Sequence, residues 1–265
     1  MRTPLVALTA CVIAGLTFSG TAAADVAQPA PAAKPAAAEL APPSVLAKNR
    51  IYRSGSTSPT NCAVPEIQEG SANSVKRFHV AMAACANRFW TTRFRSAKLR
   101  YTPPKLAVTT SNRTVCGKFT SSGALYCPAQ RTVAIRITKR DLRNPFRMNI
   151  AHSVAHEYGH HVQQLTGIMD AHNVIHWRSR GTARTTASHR LEMQAECFAG
   201  VFYSAALDAI NPGIEWDQWV DAVSRSPYSK VHGRPANLAY WNNRGYQGAS
   251  ASYCNTWTAS NARVR

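Results

Sequence analysis

The order of secondary-structure signals in this 265-residue chain predicts an α+β fold. The folded part begins with a long amphipathic pattern over residues 74–94, in which apolar side chains recur at helical spacing. Short stretches rich in Val, Ile and Thr follow, broken by Gly and Pro, and they predict a small antiparallel sheet. Helical patterns then fill most of the second half. The strands are predicted over 106–110, 114–120 and 132–138.

Several helices are predicted from apolar periodicity and from capping signals. Ser74 is the expected N-cap of the first helix, and Gly167 is expected to end the second. A polar, Arg-rich connection is expected before the third helix, whose apolar stripe includes Phe198 and Phe202. The helices are predicted over 74–94, 149–165 and 189–207 and, as shorter pieces, near 216–223 and 235–244.

Residues 1–24 have the features of a secretory signal peptide. Arg2 gives a positive start, residues 5–18 are mostly apolar, and the three alanines at 22–24 offer an A-x-A cleavage site. The apolar run is too short for a membrane span. A lipoprotein box at residues 8–11 is the alternative interpretation. The mature protein is therefore expected to be secreted.

An Ala/Pro-rich stretch follows at residues 25–48, with almost no aromatic content to bury, and it predicts a disordered spacer. Residues 49–265 are predicted to form a single domain, because 45% hydrophobic residues suffice for a core. No later segment reaches the roughly 18 apolar residues that a transmembrane helix needs. A transmembrane protein is therefore not expected.

The sequence has seven cysteines, and Cys11 lies in the predicted signal peptide. Cleavage of that peptide leaves six. An even number in an exported protein predicts three disulfides, although many pairings are open to six cysteines. Some free buried thiols are the alternative. The expected pairs are Cys62–Cys85, Cys116–Cys127 and Cys197–Cys254.

The formal net charge of +18 is carried by basic residues scattered along the chain. Such a charge favours anionic surroundings, and cell-wall or surface polymers are the expected partners. Solubility with weak surface adhesion is the alternative explanation. Specific nucleic-acid recognition is not expected, because no helix-turn-helix, zinc-finger or RNA-binding signature accompanies the charge.

The chemistry concentrates in the segment HEYGH at residues 156–160. His156 and His160 are one helical turn apart, so both imidazoles can reach one ion. Glu157 follows the first of them and projects toward the open side of the metal, where it can act as general base on a water. This pattern predicts a zinc site with two histidine ligands.

A third protein ligand is needed for a catalytic zinc site. The extended motif H-E-x-x-H-x-x-G-x-x-H fails, because Gln163 and Thr166 stand where Gly and His are required. Glu192 on the next helix is the better candidate, since a carboxylate beside an apolar stripe needs a charge partner. Glu196, one turn further, is expected to accept the free ring N–H of a ligand histidine.

Two other histidines of the same helix are set aside as ligands. His152 is about 12 Å along the helix axis from His160 and is expected to pack or to support the site from outside. His161 is rotated by about 100° from His160 and is expected to be structural or solvent-facing.

These motifs together resemble the neutral zinc metallopeptidase family of bacteria, over residues 62–257. The resemblance implies a zincin-like fold, with one zinc per chain held by His156, His160 and Glu192 and with Glu157 as base. Glu196 departs from the family pattern, which usually has Asp there, and Asn255 and Trp257 also depart from it. The matching segments are HEYGHHVQ, LEMQAECFAGVF, Cys116-Gly117, Leu125-Tyr126-Cys127-Pro128, His232-Gly233, Trp241, Gly245 and Cys254-Asn255-Thr256-Trp257.

The expected function is hydrolysis of protein or peptide substrates, with a histidine to stabilise the oxyanion. His232, in the late His-Gly of the family, is the candidate for that role, and Tyr126 is a second candidate. Two other functions stay open. One is a non-catalytic, envelope-binding protein on the same scaffold, and the other is an amidase acting on peptidoglycan cross-links.

Overall fold

A computed structural model describes residues 42–119 and 123–265, in which helices pack around a small sheet. The predicted signal peptide and residues 25–41 of the predicted spacer lie outside the described residues. The elements are α1 (Ser44–Ala47), α2 (Ala72–Ser96), β1 (Lys105–Thr109), β2 (Arg113–Thr114), β3 (Gly117–Lys118), β4 (Ala124–Cys127), β5 (Thr132–Arg136), α3 (Lys139–Arg143), α4 (Arg147–Leu165), α5 (Ile168–Arg178), α6 (Gly181–Ile210), α7 (Trp216–Ser224) and α8 (Pro235–Gly248). The α+β class is confirmed.

The first long helix, α2, starts earlier than the sequence predicts. Ser71 is its N-cap, and the Ser71 side chain accepts a hydrogen bond from the Ser74 backbone N–H. The expected N-cap Ser74 lies inside the helix, where its hydroxyl accepts from Gln68 N–H and donates to the Glu66 carbonyl. These bonds fix the chain that enters α2.

The sheet is mixed, whereas the sequence predicts an antiparallel one. Its strand order is β1-β5-β4, in which β5 runs parallel to β1 and antiparallel to β4. The reason is topological: β4 reverses the chain after β1, and β5 reverses it again and inserts between them. The sequence predicts no strand at β4, and the stretch predicted over 114–120 contributes instead to the separate hairpin β2–β3.

Helix also replaces the Arg-rich connection that the sequence predicts between the second and third helices. Residues 168–178 form α5, and α6 begins at Gly181 rather than at His189. Ile168 and Met169 are buried, whereas Arg178 and Arg180 face solvent. Val174 and Trp177 of α5 are also exposed, so the apolar residues do not mark the buried side of this helix.

The core is centred on α6, which packs against α2, α4, α5 and α8. Aromatic side chains of α2 and α6 meet edge to face, with ring centroids of Phe89 and Phe202 5.4 Å apart and those of Trp90 and Phe198 5.7 Å apart. Such contacts hold α6 rigidly in the centre of the fold.

Three disulfides connect the pairs that the sequence predicts. Their Cα–Cα distances are 5.3 Å for Cys62–Cys85, 5.7 Å for Cys116–Cys127 and 5.4 Å for Cys197–Cys254. The last bridge ties α6 to the segment after α8. No helix among the described residues is long and apolar enough to cross a membrane.

The described residues 42–48 belong to the stretch that the sequence assigns to the spacer. Ser44–Ala47 form the short helix α1, and the Leu46 side chain is fully buried. The Tyr52 hydroxyl donates to the Leu46 carbonyl. The end of this stretch therefore packs on the fold instead of forming a spacer.

His79 makes the fold sensitive to acid. Burial lowers the pKa of this imidazole from 6.5 to about 4, against a smaller opposing effect of Asp141. Between these pH values the unfolded chain binds a proton that the folded protein does not bind. We therefore expect the free energy of unfolding to fall as the pH decreases from 6.5 to 4, by on the order of 3 kcal/mol from this residue.

The variant His79→Leu removes this group, and its free energy of unfolding should depend less steeply on pH. Urea unfolding of both proteins at pH 7 and pH 4.5, with chelator present throughout, measures the two slopes. Equal slopes would show that the imidazole is not held neutral in the fold.

Candidate metal centre

Helices α4 and α6 cross with their backbones in contact at Gly159. A Cβ atom on Gly159 would lie 2.7 Å from the Ala195 carbonyl oxygen and 2.8 Å from the Ala195 Cα. Only glycine permits this approach. It places the turn 156–160 of α4 against the turn 192–196 of α6.

Three donor atoms converge at this crossing. The Nε2 atoms of His156 and His160 are 3.1 Å apart, and Glu192 Oε2 lies 3.4 Å from each of them. Donors at zinc-ligand distances occupy a tetrahedral face with edges of about 3.3 Å. Glu192 Oε2 is buried and has no hydrogen-bond partner among the described residues. The three side chains therefore fit a zinc ion, and their donor atoms form one of the groups capable of holding a metal.

Glu196 supports the first histidine from the opposite side. Glu196 Oε1 lies 3.0 Å from His156 Nδ1 and 3.3 Å from His152 Nε2. Asn242 Nδ2 donates to the Glu196 backbone carbonyl at 3.0 Å and approaches Oε2 at 3.4 Å. Glu196 is one methylene longer than the Asp expected at this position, and its carboxylate still reaches the Nδ1 atom of His156. A proton on Nδ1 leaves Nε2 of His156 available for a metal.

Gln163 contacts the second histidine, although the sequence predicts no role for this residue. Its amide nitrogen donates to the Leu191 carbonyl at 2.7 Å and to Gln194 Oε1 at 3.2 Å. Its Oε1 lies 2.9 Å from His160 Nδ1 and must accept there. The proton of His160 is therefore on Nδ1, and Nε2 is free. A buried amide three residues after a ligand histidine is the signal that could have identified it.

A second group, His152, His156 and Glu196, also has donor atoms within 4.8 Å of one another. It shares His156 with the first group. A neutral imidazole offers one lone pair, so His156 can serve only one of the two groups as a ligand. Glu192 and His160 both lie on the Nε2 side of His156, which favours the first group.

The charges at the site separate the roles of its carboxylates. Burial alone would raise the pKa of Glu192, but the imidazoles of His160 and His156 outweigh it and hold that pKa well below its usual range. Burial raises the pKa of Glu157 against the opposing effect of the same imidazoles. Glu157 is thereby the more basic carboxylate, as a general base requires.

The donor atoms lie at the floor of a cleft of about 460 Å³. This volume is within the range of ligand-binding pockets. Glu157 and His232 both border the cleft, and the His232 Nε2 atom lies 3.5 Å from Glu192 Oε2. The apolar part of the wall includes Leu125, Met169, Leu191 and Val231.

Tyr126 and His161 are tied to each other. His161 is fully buried rather than solvent-facing, and its Nε2 donates to the Thr102 carbonyl at 2.7 Å. Burial lowers the pKa of His161 to about 4, so the ring is neutral and Nδ1 accepts. The Tyr126 hydroxyl, 2.9 Å away, donates to that Nδ1. Because the Tyr126 hydroxyl already donates its proton to His161, it is not free to stabilise an oxyanion. The hydrogen bond instead connects β4 to α4.

Comparison with known proteins identifies the family. The model of the family described as "Putative neutral zinc metallopeptidase" matches residues 48–257. The chain belongs to this family. The match includes every donor and supporting residue named above, and it confirms the family expected from the sequence motifs.

Relatives of the chain occur in Escherichia coli and in Mycobacterium bovis. The chain is 27% identical over 225 residues to Uncharacterized protein YpfJ of Escherichia coli (strain K12), with 74% of this chain and 78% of the relative covered. It is 28% identical over 183 residues to Uncharacterized protein Mb2605 of Mycobacterium bovis, with 56% of this chain and 59% of that relative covered. No solved structure matches the chain.

Gln163 provides a test of the candidate metal centre. The variant Gln163→Leu frees His160 Nδ1 from its acceptor, and we expect zinc affinity to fall about 10- to 100-fold. Competition of each protein with a chromogenic chelator measures the affinity. The adjacent Gln164→Leu is the matched control and should bind zinc like the wild type. Equal affinities of all three proteins would contradict the role given to Gln163.

Proposed function

We propose that the protein is a zinc-dependent peptidase, in which His156, His160 and Glu192 hold the metal and Glu157 is the general base. The observation that carries this proposal is the triangle of three donor atoms beside a buried, basic carboxylate at the floor of a cleft. Membership of a metallopeptidase family supports it.

Zinc bound at this centre would supply a Lewis acid that polarises a scissile carbonyl and lowers the pKa of a water. Glu157 takes a proton from the attacking water and then delivers it to the amine nitrogen that leaves. The C–N bond breaks and a C–O bond forms, so a peptide and water give a carboxylic acid and an amine. His232, at the rim, donates a hydrogen bond to the carbonyl oxygen as negative charge develops.

The cleft wall supports a peptide substrate. Leu125 and Met169 border the metal centre, with Leu191 and Val231. These side chains offer apolar contacts to the side chains that flank a scissile bond, whereas a site built for sugars would need more polar groups. Peptides with large apolar residues next to the cleaved bond are therefore the proposed substrates.

The same metal chemistry would also serve an amidase. We therefore propose that cross-link peptides of peptidoglycan be included in any substrate screen, together with a peptide library. The non-catalytic alternative leaves Glu157 without a function, since binding of a polymer requires no general base beside a metal centre.

We propose an extracellular location. Three disulfides are typical of exported proteins, and the predicted signal peptide agrees with this location. The net charge of +18 supports association with anionic polymers of the cell envelope, which we propose as surroundings rather than as substrate.

The variant Glu157→Gln tests the proposed reaction. It keeps the size of the side chain but removes the base, so we expect turnover to fall about 10²- to 10⁴-fold while zinc stays bound. Metal quantification and a peptide-cleavage screen on the same preparations measure both quantities. Glu69→Gln, at an exposed position, is the matched control and should keep full activity. Full activity of Glu157→Gln would exclude Glu157 as the base.

A further inference from the structure

A short loop at residues 229–233 brings His232 to the metal centre. Its ends are paired, because the Gly233 backbone N–H donates to the Ser229 carbonyl at 2.8 Å. Its middle is attached to α6, because His189 Nε2 lies 3.0 Å from the Lys230 carbonyl and donates to it. The loop is therefore held at both its ends and its middle.

Gly233 lets this loop lie directly on α6. Its φ is +88°, and a Cβ atom at this position would lie 2.8 Å from Met193 Cε and 3.2 Å from the His189 ring. Met193 follows the ligand Glu192 in the sequence. The loop is thus seated on the same helix that contributes the third ligand, which fixes the distance between His232 and the centre.

The hydroxyl of Ser229 uses all of its hydrogen-bonding capacity within this loop. Ser229 Oγ accepts from the backbone N–H groups of Val231 and His232, both at 3.2 Å. A hydroxyl has two lone pairs and one proton, so only the proton is left. The remaining partner is His232 Nδ1, 3.1 Å away. Ser229 must therefore donate, and His232 Nδ1 must accept.

We propose that Ser229 is a positioning residue that keeps the proton of His232 on Nε2. In the opposite tautomer, Nδ1–H would face an oxygen whose lone pairs are already occupied by two backbone N–H groups. The Nε2–H group lies 3.5 Å from Glu192 Oε2 and borders the cleft. This assignment rests on the proposed peptidase function. It makes the Nε2–H group of His232 a hydrogen-bond donor to the carbonyl oxygen of the substrate.

The same tautomer has a second consequence. A histidine ligates a metal through an unprotonated nitrogen, and the proton on Nε2 blocks this for His232. A third imidazole, as the fourth protein ligand of zinc, would close the site, whereas catalytic zinc sites keep one position open. Ser229 thereby keeps His232 as a donor beside the centre rather than as an additional ligand within it.

The test combines spectroscopy with a double-mutant cycle on the zinc-loaded, full-length protein. Long-range ¹H–¹⁵N NMR of ¹⁵N-histidine-labelled protein shows which ring nitrogen carries the proton, and the His232→Ala spectrum identifies the His232 signals. The variants are Ser229→Ala, the conservative Ser229→Thr, His232→Ala and the double variant Ser229→Ala/His232→Ala. Zinc content, kcat and KM are measured for each of them.

We expect an Nε2–H tautomer in the wild type and in Ser229→Thr, and a mixture of tautomers in Ser229→Ala. Ser229→Ala should lower kcat roughly 5- to 10-fold, about the worth of one hydrogen bond, with KM and zinc content unchanged. In the His232→Ala background, Ser229→Ala should lower kcat no further.

A proton on Nδ1 of His232 in the wild type would overturn the proposal, and so would an equal loss of kcat from Ser229→Ala in both backgrounds. The NMR result does not depend on catalysis. If the wild type cleaves no peptide, the proposed function fails, whereas the tautomer assignment is still decided by the spectrum.

Discussion

The contact between the backbones of α4 and α6 at Gly159 and Ala195 determines the geometry of the site. Helices that carry a side chain at the crossing are typically 8–10 Å apart. Here the missing Cβ lets the two helices approach until carboxylates from one reach imidazoles of the other. Glu192 and Glu196 are four residues apart and therefore lie on the same face of α6. Glu192 faces Nε2 of His156, and Glu196 faces Nδ1 of the same ring. The cleft and the loop at 229–233 are arranged around this contact.

Proton placement on the histidines follows from their partners. Glu196 faces Nδ1 of His156, and Gln163 accepts from Nδ1 of His160, so both Nε2 lone pairs point to one position. His161 is oriented the other way, with its Nε2 proton given to the Thr102 carbonyl. Neighbouring histidines on one helix thus have different tasks, because each has a different partner at its second nitrogen.

Local patterns in the sequence are sufficient to predict some residues of this site. His156, Glu157 and His160 are recognisable because a four-residue spacing on one helix decides their common face, and Glu192 because it adjoins an apolar stripe. Gln163 was missed, because its role depends on the Leu191 carbonyl and on Gln194, which only the packing of α6 brings near. Strand β4 was missed because four residues are too few for a clear alternation. The sequence does not predict helix α5, because its apolar residues do not share one face: Ile168 and Met169 are buried, whereas Val174 and Trp177 are exposed.

Helices α4 and α6 together present His156, His160 and Glu192 as one candidate metal site. An anomalous difference map, measured at the zinc absorption edge on crystals of the zinc-loaded protein, tests this site. We expect a single strong peak bonded to His156 Nε2, His160 Nε2 and the Glu192 carboxylate. A peak between His152, His156 Nδ1 and Glu196, or the absence of a peak at the crossing of α4 and α6, would contradict it.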